Sequence, residues 1–92
     1  MITEAYIEKT VTDWAKERGW IVLKFTPRGD RGWPDRLFIS RWGSHVWIEF
    51  KRPGKEPTKL QHKRLQQLQD NKCHAVWTNS IEDGINYLKE YM

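Results

Sequence analysis

Asp35 follows Pro34, and Glu49 and Lys51 lie fourteen and sixteen residues beyond Asp35, within PDRLFISRWGSHVWIEFK. Two carboxylates held together repel, and both stay ionised only where cations neutralise them. Lys51 supplies one positive charge. A hard divalent ion such as Mg²⁺ or Mn²⁺ supplies more, and oxygen ligands suit it. Asp35, Glu49 and the Phe50 carbonyl make a minimal site of that kind, with water and phosphate oxygens in the remaining positions. A cation there neutralises a phosphodiester, acidifies a water and steadies the leaving oxygen. Lys51 beside that water can orient it and stabilise developing negative charge. The same residues also suit an Asp–Lys–Glu ion-pair network at a strand end, and pattern alone leaves both readings open.

The elements that must position these groups can be read from periodicity. From Arg36 the stretch reads as two strands, RLFISR and HVWIEFK. Side chains alternate along a strand, so Val46, Ile48 and Phe50 share one face and Trp47, Glu49 and Lys51 the other. Asp35 joins the second face only if paired residue numbers sum to an even value. A three-residue turn, Trp42-Gly43-Ser44, does this. It sets Arg41 against His45, Leu37 against Glu49, and Asp35 against Lys51.

Residues 3 to 18 read as a helix with Thr3 as cap, an inward stripe of Ile7, Val11, Trp14 and Ala15, and a Gly19 stop. Residues 20 to 25 read as a strand and 26 to 34 as a basic loop. Residues 52 to 57 form a second basic loop. A helix is expected from Thr58 to Asn71, with Leu60, Arg64, Leu65 and Leu68 near one face. A strand follows at Cys73 to Thr78. A last helix spans 80 to 91, with Ser80 as cap, Ile81, Ile85 and Leu88 inward, and Gly84 weakening it. The order is α-β-β-β-α-β-α: an α/β fold with a small mixed sheet flanked by helices. The helical crossover between the third and fourth strands predicts that this pair is parallel.

Composition sets the bounds. The chain has 92 residues, which is one domain with a modest core. The net charge of +4 favours a polyanionic partner. Cys73 is the lone cysteine, so an intramolecular disulfide is excluded and a reducing, cytoplasmic setting fits. No apolar run reaches membrane-spanning length, and the N-terminus lacks the apolar core of a signal peptide. Lys24, Arg28, Arg31, Arg36, Arg52 and Lys55 flank the proposed site and suit phosphate contacts. Trp33 either stacks against a bound nucleic acid or caps the sheet. His45, His62 and His74 show no ligand spacing.

These residues resemble the PD-(D/E)xK nuclease superfamily, and within it the chain is similar to the virus-type replication-repair nuclease (VRR-NUC) family. The likeness runs from about Thr3 to Thr78. It rests on YIEKTV in the first helix, GWPDRLF at the second strand, WIEFKRPG at the third and TKLQHKRLQQL in the second helix. The resemblance implies a restriction-endonuclease-like α-β-β-β-α-β core, here with a C-terminal helix, as a single domain over residues 1–92. It implies a Mg²⁺- or Mn²⁺-dependent nuclease with Asp35 and Glu49 as metal ligands and Lys51 as the catalytic lysine. Glu8 carries over as the first-helix acid, with Glu4 as its rival one turn earlier, and Gln61 as a supporting polar residue. Stand-alone members are often from phages or bacteria and look like homodimeric Holliday-junction resolvases. The function expected is therefore cleavage of branched DNA by a homodimer in a bacterial or phage-infected cell. The alternatives are flap, single-strand or nicking activity, or a non-catalytic DNA-binding module.

Overall fold

The computed structural model describes residues 1–92. Its elements are α1 (Glu4–Glu17), β1 (Ile21–Lys24), β2 (Arg36–Ile39), β3 (His45–Phe50), α2 (Lys59–Asp70), β4 (His74–Thr78) and α3 (Ile81–Lys89). The order matches the expected one, with each strand and helix slightly shorter. One sheet carries the strands in the order β1-β2-β3-β4. The first two pairings are antiparallel and β3–β4 is parallel, as the α2 crossover requires.

Helix α1 begins at Thr3, whose hydroxyl accepts the Tyr6 amide at 3.1 Å. Its apolar stripe then buries Ile7, Val11 and Ala15 against Phe38, Val46, Ile48 and Phe50 of the sheet and Leu88 of α3. Trp20 lies before β1 and is buried in this same core. Helix α2 rests on β4, and Leu65 and Ala75 are buried outside the main cluster. Leu60 departs from expectation: it is exposed in the first turn of α2. It lies over Gly32 of the basic loop instead of the sheet.

The β2–β3 register differs from the expected one. Observed pairs are Arg36–Ile48, Leu37–Trp47, Phe38–Val46 and Ile39–His45. The loop keeps three residues, but they are Arg41, Trp42 and Gly43. The Ser40 amide donates to the Ser44 carbonyl at 2.8 Å, and the Gly43 amide donates to the Ser40 carbonyl at 3.0 Å. The reason is conformational. A three-residue hairpin loop ends in a left-handed residue, and Gly43 has φ +85°. The glycine therefore takes the last loop position, not the middle one. The Ser40 hydroxyl locks the turn by accepting the amides of Trp42 at 3.1 Å and Ser44 at 3.0 Å. A shift of two residues leaves every side chain on its expected face, whereas a shift of one would have inverted them. Continued one step, this register sets Asp35 opposite Glu49, not Lys51.

Candidate active site

The end of β3 gathers the acids. Glu49 is 3 % exposed, and its Oε2 lies 3.8 Å from the Lys51 ammonium. That distance is an ion pair without a direct hydrogen bond. The other oxygen, Oε1, is buried with no hydrogen-bond partner. Burial first, then Asp35, with smaller contributions from Glu4 and Glu8, pushes the Glu49 carboxyl up to about 8, against the pull of Lys51. Asp35 is half-buried and also raised, by burial and then by Glu8, against Lys24, Lys51 and Arg36. Glu4 is raised by burial, with Lys51 pulling it down and Asp35 and Glu8 pushing it up.

The Phe50 carbonyl can be placed from the backbone. The Lys51 amide donates to the Thr78 carbonyl at 2.9 Å, towards β4. All peptide bonds are trans, and a trans unit points its carbonyl opposite to its amide. The Phe50 carbonyl therefore points away from β4, towards the β2 side that carries Asp35. Its ring turns into the core, 6.2 Å from that of Phe38.

Both first-helix acids approach this end of the sheet. Glu8 accepts a hydrogen bond from Arg36 Nε, linking α1 to β2. Arg36 is thus engaged with protein, on the core face beside Phe38. Glu4 has no such partner among the ion pairs. Gln61 serves the α2 N-terminus: its Oε1 accepts the Thr58 amide at 2.9 Å, and its own amide donates to the Thr58 hydroxyl at 3.2 Å. That capping box occupies its side-chain oxygen.

The residues expected to touch DNA divide in two. Lys24, Arg28, Arg31, Arg52 and Lys55 are exposed. Trp33 is half-buried under the Arg64 guanidinium, whose centre stands 4.6 Å from its ring. Arg64 also donates to the Arg31 carbonyl at 2.9 Å and to Asp30 at 2.7 Å. It fastens the loop leading to Asp35 onto α2. In the sequence Arg64 is only one of the residues near the face of α2 that carries Leu65 and Leu68, because a clasp between segments this far apart leaves no local signal. For Arg36 the sequence signals the need and not the partner: it alternates with Phe38, which puts it on the core face where a charge must be met.

The donor set suits a hard divalent cation. A buried carboxylate with one orphaned oxygen is costly unless a cation or donor meets it. Asp35, the Phe50 carbonyl and Glu49 offer oxygens from neighbouring strands. No three His, Cys, Asp or Glu side chains are grouped closely enough to enclose an ion alone. Mg²⁺ usually takes only one or two carboxylates and completes its shell with water and phosphate.

No family model matches the chain. A curated protein of Acyrthosiphon pisum secondary endosymbiont phage 1, named "Putative nuclease p44", is 40% identical over 68 residues, covering 71% of this chain and 73% of the relative. Two solved structures share the fold. One, described as "VRR_NUC domain", has a TM-score of 0.87 at 20% identity and covers 97% of both chains. The other, "VRR_NUC domain protein", has a TM-score of 0.79 at 22% identity, over 98% of this chain and 88% of its own.

Proposed function

The chain belongs to the VRR-NUC family, and we propose on that premise that this nuclease is a divalent-cation-dependent DNA endonuclease that cuts branched DNA as a homodimer. The observation that carries the reading is Glu49: a buried carboxylate with an unpartnered oxygen, beside Asp35 and within reach of Lys51. Bound there, Mg²⁺ or Mn²⁺ would supply charge neutralisation at the phosphate and a more acidic water. Asp35 and Glu49 would hold the cation at the bottom of the site, Glu49 giving up its proton on binding, with the Phe50 carbonyl alongside. Lys51 donates to the attacking water or to the phosphoryl oxygens as charge develops on them. Glu8 and Glu4 line the α1 side of the site. Arg36 holds Glu8, and the exposed Lys24, Arg28, Arg31, Arg52 and Lys55 contact phosphates.

A homodimer has support in the sheet. Ile21 and Leu23 of the edge strand and Phe25 just beyond it are 58%, 48% and 37% exposed. Ile21 and Leu23 face the same way as their partners Ile39 and Leu37. The Phe25 ring meets Trp47 at 4.9 Å on that face. Helix α2 covers the β4 side of it and leaves the β1 side open. An apolar face on an unpaired edge calls for cover, and Ile21, Leu23, Leu37 and Ile39 bring no charge to a two-fold contact, the acids lying at the other end of the strands beyond Phe25. Leu23→Glu is expected to convert dimer to monomer in sedimentation velocity at micromolar concentration, with the fold retained by circular dichroism. A variant sedimenting like the parent dimer would remove this face from the interface.

The function is tested by incubating the protein with a four-way junction, a 5′ flap, single strands and plain duplex, in Mg²⁺, Mn²⁺ or EDTA. Symmetric, cation-dependent nicks across the junction are expected. Preference for the flap or single strand would retain the chemistry and replace the substrate. Binding without cleavage under any cation would leave a DNA-binding module.

A further inference from the structure

The β2–β3 hairpin tip lies at the other end of the sheet from the carboxylates, about 20 Å away by strand rise. Trp42 stands there 80% exposed. A large apolar side chain so displayed on a mobile loop would need no explanation, but this loop is held at several points. The buried Ser40 hydroxyl takes the amides of Trp42 and Ser44. The Arg41 stem passes over Gly19, where a Cβ would come within 2.9 Å of its Cδ. The tip is thus tied both to its own strands and to the end of α1, and Trp42 is presented in advance of any partner.

Beside it is a cavity of about 210 Å³ lined by Arg18, Trp20, Ser40, Arg41, Trp42 and Met92. Two guanidiniums and no carboxylate side chain line it. Arg18 is itself oriented, with its guanidinium centre 4.3 Å from the Trp14 ring and its Nη1 donating to the Trp14 carbonyl at 3.0 Å and standing 3.7 Å from exposed Glu17. Arg41 enters no ion pair. An exposed indole on a fastened loop, with two flanking cations, has the chemistry to stack a flat ring and hold the anion attached to it. That combination matches single-stranded nucleic acid, whose bases stack on aromatic side chains while arginines take the phosphates. An acidic protein surface would use the arginines but not the indole face; an apolar protein pocket would use the indole but leave Arg41 unpaired.

We propose that Trp42, with Arg41 and Arg18, is a second nucleic-acid subsite that stacks an unpaired nucleobase and holds its phosphate, remote from the cleavage end. The inference rests on the reading of the protein as a nuclease acting on DNA. A flap, or an arm opened at a branch, supplies the unpaired strand. The subsite would act as a ruler, favouring substrates whose free strand spans the distance from the carboxylates to the hairpin tip.

The test is equilibrium binding in EDTA, which prevents cleavage. Probes are a labelled oligothymidylate of about ten nucleotides and its abasic counterpart, which keeps the phosphates and lacks the bases. The parent chain is expected to prefer the base-bearing probe, and Trp42→Ala to weaken its binding about tenfold, within the range one stacked base contributes. Trp42→Phe should restore most of that preference. Arg41→Ala should flatten the salt dependence of either probe by about 0.7 in log–log slope, the value for one single-strand phosphate contact. Unchanged binding of the base-bearing probe by Trp42→Ala, in a parent that binds and cleaves DNA, would overturn the subsite and leave the nuclease reading standing. A parent that binds neither probe and cleaves no DNA would overturn both. Loss of self-association in Trp42→Ala with DNA affinity intact would reassign the tip to a protein contact and overturn the proposal.

Discussion

Glu49→Gln is expected to lower the cleavage rate by about three powers of ten and, in the same chain, to raise the melting temperature at pH 8. The first effect follows from a cation contributing several kcal/mol of transition-state stabilisation, at about 1.4 kcal/mol per decade. The second follows from linkage. Burial raises the Glu49 carboxyl from its ordinary value of 4.5 to about 8. Between those values the folded chain keeps a proton that the unfolded chain releases, so stability falls as pH rises through the window. Below pH 4.5 both states are protonated and the penalty vanishes. The slope is at most about 1.4 kcal/mol per pH unit. Glutamine has the same shape and no proton to lose. The variant should therefore melt several degrees above the parent at pH 8 and together with it near pH 4.5, without divalent ions. Adding Mn²⁺ at pH 8 should raise the parent, because ligands that bind only the folded state stabilise it, and leave the variant nearly unmoved. Equal cation-induced shifts in both proteins, or cleavage by Glu49→Gln at the parent's rate, would rule out Glu49 as a ligand.

Lys51→Ala is expected to cost about 10²–10³ in single-turnover rate at saturating Mn²⁺, the usual loss when one donor to developing charge is removed. Cation binding should survive, since Asp35 and Glu49 remain. It should also move to higher pH. Burial sets the raised Glu49 carboxyl, and Lys51 is the cation that counters it. Without Lys51 the carboxyl rises further, so the Mn²⁺-induced gain in melting temperature begins at higher pH than in the parent. This separates a catalytic ammonium from a structural one. Were Lys51 merely half of an ion pair holding β3, its loss would lower the melting temperature wherever Glu49 is ionised and leave the rate per folded molecule unchanged. Full-rate cleavage by Lys51→Ala would end its catalytic assignment.

The same buried carboxylate links both results. A group kept ready for a cation is a burden to the fold without one, and the chain carries it at the end of its central hairpin. Arg36 and Lys51 mitigate the charge without closing the site: Arg36 engages Glu8, and Lys51 stands off from Glu49 at 3.8 Å. One oxygen of Glu49 is left for something else.

Local signals in the chain were enough for the element order, the parallel β3–β4 pair and the face shared by Asp35, Glu49 and Lys51. Each of these depends on period or parity: 3.6 residues for the helices, two for the strands, and an even pairing sum for the hairpin. Parity survives a slip of two residues, which is why the face was right although the register was not. The exact pairing depended on which loop position needs a left-handed backbone, and Gly43 decided it through φ +85°. Gly84 shows the opposite case. Its cost to helix propensity is visible in sequence, but the structure packs it against Val11, with a Cβ only 3.0 Å from Val11 Cγ2. What only the tertiary structure decided are the contacts between segments distant in the chain: Arg36 with Glu8, Arg64 with the loop before Asp35, Arg41 over Gly19, and the orphaned oxygen of Glu49. Periodicity reports which way a side chain faces. It carries no information on which distant segment arrives to meet it, because that is set by how helices and sheet share one core.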